Sequence, residues 1–147
     1  MAKTYQMNAF ARFGNTMTAA MIKLGIAPVG MHLLTVRGRK SGLPRTVPVN
    51  LIKYQGLRWL VAPYGEVAWV RNARAAGDVE LRRARTVERT QVREASAAEA
   101  APVLRLYLRR LRLVVGPYFD VTPASPDASF IAEAPRHPVF LLTKPLA

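Results

Sequence analysis

The sequence contains no cysteine, and this absence excludes several kinds of chemistry. Without cysteine there are no disulfides, thiolate nucleophiles, zinc fingers or thiolate-held iron clusters. The two histidines, His32 and His137, are too few for a histidine-based metal site, so we expect no metal and interpret both as structural residues. No apolar run reaches the ~18 residues of a membrane-spanning helix. These absences predict a soluble protein of a reducing, cytoplasmic compartment.

Acidic residues are also scarce, and positive charge dominates the chain. Its 147 residues include 22 Lys and Arg against 9 Asp and Glu, which gives a net charge of +13. Such an excess favours an anionic partner. The length fits a single domain, residues 1–147, and half of the residues are hydrophobic, which is enough to form a core.

Hydrophobic spacing and turn residues predict the order of the elements. We expect helices over 4–25, 66–76 and 96–115, and strands over 31–37, 45–54, 57–62, 78–86, 87–94 and 138–144. Ser96 and Glu99 form a capping box at the start of the last helix. The proline-rich segment 116–137 is expected to be irregular. This order indicates an α+β fold built on an antiparallel, barrel-like sheet with flanking helices.

The first predicted helix, within residues 1–25, is amphipathic. Its one-sided apolar spacing favours packing of this helix against the barrel. The alternative is peripheral contact with a membrane, in which Phe10, Phe13 and the methionines insert and Lys3, Arg12 and Lys23 meet anionic headgroups.

The strongest local signal is the turn over residues 37–45, between two predicted strands. It holds four cations in nine residues, interleaved with two glycines and a serine. We expect backbone amides at Gly38 and Gly42 to converge on an oxyanion that Arg39, Lys40 and Arg45 neutralise. The glycine spacing is not that of a Walker loop. The turn therefore predicts a phosphate site, and the alternatives are a solvated hairpin tip or a basic nuclear-type or DNA-binding arm.

A second group of residues surrounds the predicted short helix. Ala62, Pro63 and Tyr64 precede it, and Trp69 and Asn72 lie three residues apart within it, so that both side chains share one helix face. A ring and an amide on one face suit a flat ligand, and the helix N-terminus adds partial positive charge. The alternative for Trp69 is a core anchor.

Together these motifs resemble the deazaflavin-dependent nitroreductase family. The resemblance covers about residues 31–144 and is carried by Gly38-Arg-Lys-Ser-Gly with Arg45 and Pro48, by Ala62-Pro-Tyr-Gly, by Trp69-x-x-Asn72 and by His137-Pro-Val-Phe. It implies a split β-barrel of the FMN-binding type, as in actinobacterial oxidoreductases that use coenzyme F-420, an 8-hydroxy-5-deazaflavin. FMN is the alternative cofactor.

The resemblance also implies roles for particular residues. It assigns the phosphate side of the coenzyme to Arg39, Lys40, Ser41, Gly42 and Arg45. It assigns the deazaflavin ring to Pro48, Val49, Asn50, Ala62, Pro63 and Tyr64, with Trp69 and Asn72 closing over it. Tyr118 is the candidate catalytic proton donor, with a core-capping tyrosine as the alternative.

The implied reaction is hydride transfer from the reduced coenzyme to a small-molecule acceptor such as a quinone, a nitroaromatic or an enone. In such chemistry the cofactor supplies the reactivity, and the protein supplies orientation and excludes water. One alternative is a nucleic-acid-binding module, although the basic residues lack interleaved aromatics and no nucleic acid is expected. The other is a non-catalytic carrier of the cofactor or of a lipid. The sequence leaves the oligomeric state open.

Overall fold

The computed structural model describes residues 9–25 and 30–145, with side chains over 17–25 and 30–143. Its helices and strands are α1 (Ala9–Leu24), β1 (Met31–Arg37), β2 (Pro44–Tyr54), β3 (Leu57–Val61), α2 (Ala68–Ala76), β4 (Asp78–Arg83), β5 (Thr86–Glu94), α3 (Ala97–Val115), α4 (Asp127–Glu133) and β6 (Val139–Pro145). The predicted start of the first helix at Thr4 lies outside the described residues, as do Lys3 and the side chains of Phe10, Arg12 and Phe13.

The six strands form one closed antiparallel barrel. Each strand pairs with the next in the order β1-β2-β3-β6-β5-β4, and β4 pairs with β1 to complete the ring. The hairpin between β2 and β3 turns through Gln55 and Gly56, which both have positive φ, as a tight two-residue turn requires. The predicted antiparallel barrel with flanking helices is confirmed.

The barrel interior is a packed core and not a channel. Because side chains alternate across a strand, every second residue points inward. The inward residues Leu34, Leu60, Leu81 and Phe140 are almost completely buried. Any ligand of this fold must therefore bind at an end of the barrel or on its outer face.

The helix α3 covers part of the outer face and forms a second core. Trp59 and Val61 of β3 point outward and pack with Val103, Leu104 and Leu108 of α3. The capping box that the sequence predicts is present at the start of this helix.

One end of the barrel, here called the loop end, carries the candidate site residues. Since neighbouring strands alternate in direction, the last residues of β1, β3 and β5 meet the first residues of β2, β4 and β6 there. The helix α2 joins β3 to β4 across this end, and its Val70 and Ala73 are buried on the interior core. The loop end is therefore covered by α2.

The helix α1 packs on the outer face of the barrel. It contacts β1, β2 and β4, and its Ile22 is fully buried against Leu33. This confirms the packing predicted for the helix over its described side chains. Within the described part of the chain, no helix is long and apolar enough to cross a membrane.

The strand β2 changes neighbours halfway along its length. Residues 44–50 pair with β1, whereas residues 51–54 pair with β3. The Leu51 amide donates to the carbonyl of Gly30 beside β1. Because the backbone hydrogen-bonding groups of successive residues point to opposite sides of a strand, those of Pro48 and Asn50 face the other way, toward β3. Proline has no N–H to donate, which suits a strand edge without a partner. Over 44–50, β2 thus presents an edge that no described strand pairs.

Two predicted boundaries were wrong. The turn between β4 and β5 lies at Ala84 and Arg85 rather than after Thr86, because this arginine-rich run contains no glycine or proline to mark it, and Ala84 takes the positive φ itself. The segment predicted to be irregular contains α4, which begins directly after Pro126. A proline just before the first turn is compatible with a helix. Because prolines lie beyond both ends of this seven-residue helix, the segment was predicted to be irregular.

The cap of α3 generates a prediction about acid stability. The Arg93 guanidinium and the Ser96 backbone amide hydrogen-bond the Glu99 carboxylate and lower its pKa to about 2. A carboxyl group whose pKa is lower in the folded state than in the unfolded state stabilises the fold at pH values above its unfolded-state pKa. This stabilisation is lost as the pH falls through the folded-state pKa. We expect Glu99→Gln to lower the melting temperature near neutral pH, and this difference from the unsubstituted protein to disappear by about pH 2.

Thermal melts followed by circular dichroism across this pH range would measure the difference. Glu80→Gln, on the outer face of β4, is the matched control. A difference for Glu99→Gln that stays constant with pH would contradict the prediction.

Candidate functional site

The basic loop, residues 38–43, joins β1 to β2 at the loop end and is closed by its own backbone. The amide of Gly38 donates to the carbonyl of Leu43 at 2.8 Å, and the amide of Gly42 donates to the carbonyl of Gly38 at 2.9 Å. A Cβ on Gly38 would lie 2.8 Å from the Ser41 hydroxyl, so only glycine fits without a shift. The prediction that these two amides converge on an oxyanion was wrong, because both donate within the loop.

Asn72 of α2 holds the basic loop in place. Its buried side-chain oxygen accepts the backbone amide of Arg39 at 3.1 Å and the Arg39 guanidinium Nη1 at 2.8 Å. The basic loop and the residues of α2, which the sequence suggested as two separate groups, are therefore joined. The expectation that Asn72 closes over a flat ligand beside Trp69 is corrected, since its amide oxygen is bound by the loop. The Trp69 ring instead packs toward Phe140, 5.8 Å between centroids, and remains half-buried.

The predicted anion-binding residues lie at the surface of the loop end. Arg39, Lys40, Ser41, Gly42 and Arg45 are all exposed. A cavity of about 410 Å³ lies between the basic loop and the end of α2, lined by Arg37, Gly38, Arg39, Lys40, Ser41, Gly42, Ala75 and Ala76. Side chains, rather than the glycine amides, give this cavity its positive charge.

This cavity continues as a groove along the outer face of the barrel. A second cavity, of about 240 Å³, shares Gly42 and Ala76 with the first. A third, of about 430 Å³, shares Thr35 and Glu80 with the second and reaches Pro48 beside α1. The groove thus connects the basic loop to a residue that the resemblance assigns to the ring.

The six residues assigned to the ring do not all point to one place. Pro48 and Asn50 face outward from β2, whereas Val49 between them points inward and is buried. Ala62 is fully buried in the interior core. The side chains of Val49 and Ala62 therefore cannot line an open site, and this part of the prediction is corrected.

Pro63 and Tyr64 follow β3 and meet the segment after α3. The Tyr64 and Tyr118 rings make an edge-to-face contact, 4.8 Å between centroids. Burial, with a smaller contribution from Tyr64, raises the pKa of the nearby Tyr107 phenol. The proposed ring residue Tyr64 and the proposed proton donor Tyr118 are therefore neighbours.

His137 holds these two segments together, as a structural histidine would. It is buried, with Nδ1 2.8 Å from the Pro63 carbonyl and Nε2 2.7 Å from Glu133, and its ring stacks on Phe119 at 3.7 Å. Glu133 also accepts the Asp120 amide at 3.1 Å. The structural role predicted for His137 is confirmed. The role of Glu133 was not predicted. The signal for it in the sequence was its position four residues before His137.

Two further acidic residues secure the segment before α2. Arg74 of α2 binds Glu66 and Glu94 through four hydrogen bonds of 2.7 Å. These bonds tie α2 to the loop that follows Tyr64 and to the end of β5. Glu66 and Arg74 are eight residues apart, and Glu94 is distant in sequence, so no local pattern reveals the cluster.

A closed six-stranded antiparallel barrel with flanking helices is the fold of the split-barrel class, which includes FMN-binding proteins and F420 reductases. The chain belongs to the F420H2-dependent quinone reductase family, whose model matches residues 6–120. It is a reductase that depends on coenzyme F-420. The resemblance to split-barrel deazaflavin enzymes found in the sequence is confirmed.

Solved structures support the same fold. An F420-H2 dependent reductase, FDR-A, has a TM-score of 0.53 and 23% identity, over 78% of this chain and 95% of that one. A structure described as a domain-swapped dimer has a TM-score of 0.54 and 21% identity, over 91% and 93%. An FMN binding protein of Nostoc punctiforme, related to pyridoxamine 5'-phosphate oxidase, has a TM-score of 0.52 and 12% identity, over 95% and 83%. No curated protein sequence matches the chain.

The contact between Asn72 and Arg39 generates a prediction about the basic loop. Asn72→Ala removes the acceptor of a backbone amide and of a guanidinium, so we expect unfolding free energy to fall by about 1–3 kcal/mol. Hydrogen exchange at the Arg39 amide should accelerate, while exchange in β3 should not. Native-state exchange by mass spectrometry or NMR measures both.

Asn50→Ala is the control for this experiment. Asn50 lies on the outer face of β2, and no hydrogen bond among the described residues joins it to Asn72. Equal protection of the Arg39 amide in the Asn72→Ala variant and in the unsubstituted protein would contradict the proposed hold on the loop.

Proposed function

We propose that this chain reduces quinones and related planar electrophiles with a hydride from F420H2, and that the basic loop binds the phosphate and acidic tail of the coenzyme. The observation that carries the proposal is the Asn72 contact, which fixes Arg39 at the mouth of a positively charged cavity. A fixed cation loses little side-chain entropy when it binds an anion, and charge-assisted hydrogen bonds to phosphate are strong.

The residues present fit the anionic part of the coenzyme. Arg37 and Lys40 line the same cavity as Arg39, so three positive charges face it, and Arg45 is exposed nearby at the start of β2. Arg37 also lines the adjoining groove, and a Cβ at Gly42 would meet nothing within 4 Å, which leaves the loop surface open. A phosphate followed by a run of carboxylates matches this arrangement of charges.

For the ring, the unpaired edge of β2 and the turn after β3 provide the matching groups. Backbone groups of Pro48 and Asn50 face this edge, and backbone donors and acceptors suit the polar edge of a deazaflavin. Tyr64 and Trp69, both half-buried, supply flat apolar surface at the loop end. In this proposal Val49 and Ala62 act through the packing behind the site.

When bound, the reduced coenzyme supplies the hydride, and the chain supplies position and a proton. Reduction of a quinone to its hydroquinone takes one hydride and one proton. The Tyr118 phenol, which contacts Tyr64, is our candidate for donating that proton to the acceptor. Acceptors whose reduced forms take a proton readily from water depend less on this residue.

Two expectations from the sequence stay predictions. They are the cytoplasmic location and the peripheral membrane contact through the first helix, most of whose proposed contact residues lie outside the described side chains.

The proposal predicts the effect of removing two of the cations. The double variant Arg39→Ala/Lys40→Ala should weaken coenzyme binding by about 2–4 kcal/mol, because each charge-assisted hydrogen bond contributes about 1.5–3 kcal/mol and the two are not additive. Fluorescence titration with coenzyme F-420 measures the affinity, which should also fall as salt is added.

The control for charge is Lys53→Ala/Arg85→Ala, which removes two exposed cations at the opposite end of the barrel. This variant should bind the coenzyme as the unsubstituted protein does. If the two double variants lose affinity equally, the basic loop is not the phosphate site.

The role of Tyr118 makes a separate prediction. Tyr118→Phe keeps the ring contact and removes the phenol, so kcat with menadione should fall by about tenfold or more while affinity for the coenzyme is unchanged. The assay follows the return of the absorbance of oxidised coenzyme as the quinone is reduced.

Tyr54→Phe, in the hairpin at the opposite barrel end, is the matched control. Full turnover by Tyr118→Phe with every acceptor would show that Tyr118 does not donate the proton. Tight FMN binding without binding of coenzyme F-420 would refute the assignment of the ring site to a deazaflavin.

A further inference from the structure

The end of the barrel opposite the loop end contains a cavity that the proposed function does not use, which we call the far cavity. Its volume is about 350 Å³, and it is lined by His32, Leu81, Arg83, Ala84, Thr86 and Glu88. The distance from the basic loop follows from β1, which has His32 near one end and Arg37 at the other. Five residues of a strand span ~17 Å. The far cavity is therefore a separate place in the fold.

Polar side chains occupy the inward-facing positions at this end, whereas leucine and phenylalanine side chains fill the centre of the barrel. His32 and Arg83 each lie two residues beyond a buried leucine of the interior core, so both share the inward face of their strands. Glu88 pairs directly with Leu81 across β4 and β5, and these two side chains lie on the same face. Thr86 pairs with Arg83 in the same way. Three strands thus direct polar groups to one opening.

The carboxylate of the far cavity is already neutralised by an arginine from across the barrel. Arg58 of β3 binds the Glu88 carboxylate through two hydrogen bonds. This guanidinium, with a smaller contribution from His32, lowers the pKa of the Glu88 carboxyl, which stays anionic and paired at neutral pH. Because Glu88 has its own cation, Arg83 gives the cavity an excess of positive charge, which favours an anionic ligand.

Backbone contacts fix the main donor of the far cavity in place. The Arg83 guanidinium Nη1 donates to the carbonyl of Met31 at 2.9 Å. The turn that follows is held by a hydrogen bond of 2.9 Å from the Ala84 amide to the carbonyl of Ile22 in α1. Thr86 adds an exposed hydroxyl on the strand beside Arg83. A guanidinium held in this way loses little side-chain entropy when it binds an oxyanion.

His32 supplies an acceptor rather than a further donor. Its Nδ1 lies 3.0 Å from the carbonyl oxygen of Gly30. Since a carbonyl oxygen only accepts, Nδ1 carries the hydrogen of the neutral ring, and Nε2 is the acceptor. No hydrogen bond among the described residues uses Nε2. Inorganic phosphate keeps at least one P–OH hydrogen at neutral pH and can donate it to this nitrogen, whereas sulfate has no such hydrogen.

We propose that the far cavity binds inorganic phosphate, with Arg83 and Thr86 donating to its oxygens and His32 Nε2 accepting from its P–OH group. The bound ion joins β1 to the hairpin of β4 and β5, and it stabilises the folded chain because the unfolded chain has no such site. The inference goes beyond the proposed function and does not depend on it, since the basic loop lies at the other end of the barrel.

A residue-resolved NMR titration with sodium phosphate, at constant ionic strength and without coenzyme, tests the site. We expect phosphate to shift the amide resonances of two separate groups, residues 31–32 and 83–88 around the far cavity and residues 38–43 in the basic loop. Sodium sulfate should bind the far cavity at least tenfold more weakly. Glycerol phosphate should also bind there more weakly than free phosphate, because a phosphate monoester has lost most of its P–OH hydrogen above pH ~6.

Variants of the lining residues assign the shifts to the far cavity. Arg83→Gln should weaken phosphate binding there by about tenfold or more and leave the shifts of the basic loop unchanged. Arg83 also binds the Met31 carbonyl, so Thr86→Val, which alters an exposed hydroxyl, is the second variant and should weaken binding without changing the thermal melt. His32→Phe should abolish the preference for phosphate over sulfate.

Two controls separate this site from general attraction to a cationic surface. Arg39→Ala/Lys40→Ala should remove the shifts of the basic loop and keep those of the far cavity. Arg109→Gln, which changes an exposed arginine of α3, should alter neither group. In the Arg39→Ala/Lys40→Ala background, phosphate should raise the melting temperature more than sulfate does, and adding Arg83→Gln should remove that difference.

Several outcomes would overturn the proposal. They are equal affinity of the far cavity for phosphate and sulfate, tighter binding of glycerol phosphate than of free phosphate, shifts that persist in both Arg83→Gln and Thr86→Val, and no shift at residues 83–88. Shifts at the far cavity with none at the basic loop would support this site and count instead against the proposed phosphate site of the coenzyme.

Discussion

The pairing of β4 with β1 is the constraint on which the rest of the structure depends. It converts a row of six strands into a ring, so that every inward side chain is surrounded by others and no sheet edge is left on that side. Closure brings the β1–β2 loop, the turn after β3 and the start of β4 to one end, where α2 can span them. The basic loop and α2 are distant in sequence, and the contact between Arg39 and Asn72 exists because the ring places them together.

Much of the fold could be predicted because its signals are local. The capping box at Ser96, the turn at Gln55 and Gly56 and the alternation along the strands each depend on residues a few positions apart. The turn at Ala84 and Arg85 and the helix α4 escaped prediction for the same reason. Neither has the glycine or the uninterrupted apolar spacing that would mark it, and both are stabilised by contacts from elsewhere, such as the bond from the Ala84 amide to the Ile22 carbonyl.

The candidate site divides in a similar way. The charges of the basic loop are visible in the sequence, whereas the direction of each backbone amide depends on how the loop closes, and Gly38 and Gly42 turn theirs inward. Residue identity also does not reveal which face of β2 a side chain occupies. Val49 points inward, whereas its neighbours Pro48 and Asn50 point outward. The residues that position the site also use partners that only the folded chain brings near, as Arg74 does with Glu94 and Glu133 does with the Asp120 amide.

The filled interior of the barrel determines how a coenzyme can be used. With Leu34, Leu60, Leu81 and Phe140 occupying the centre, a ligand has no internal chamber, and the proposed site holds the coenzyme from the outside, mostly through exposed charge. Such a complex forms and separates without any opening of the fold. In the function proposed here, a coenzyme held from outside leaves oxidised after each turnover, as a second substrate does.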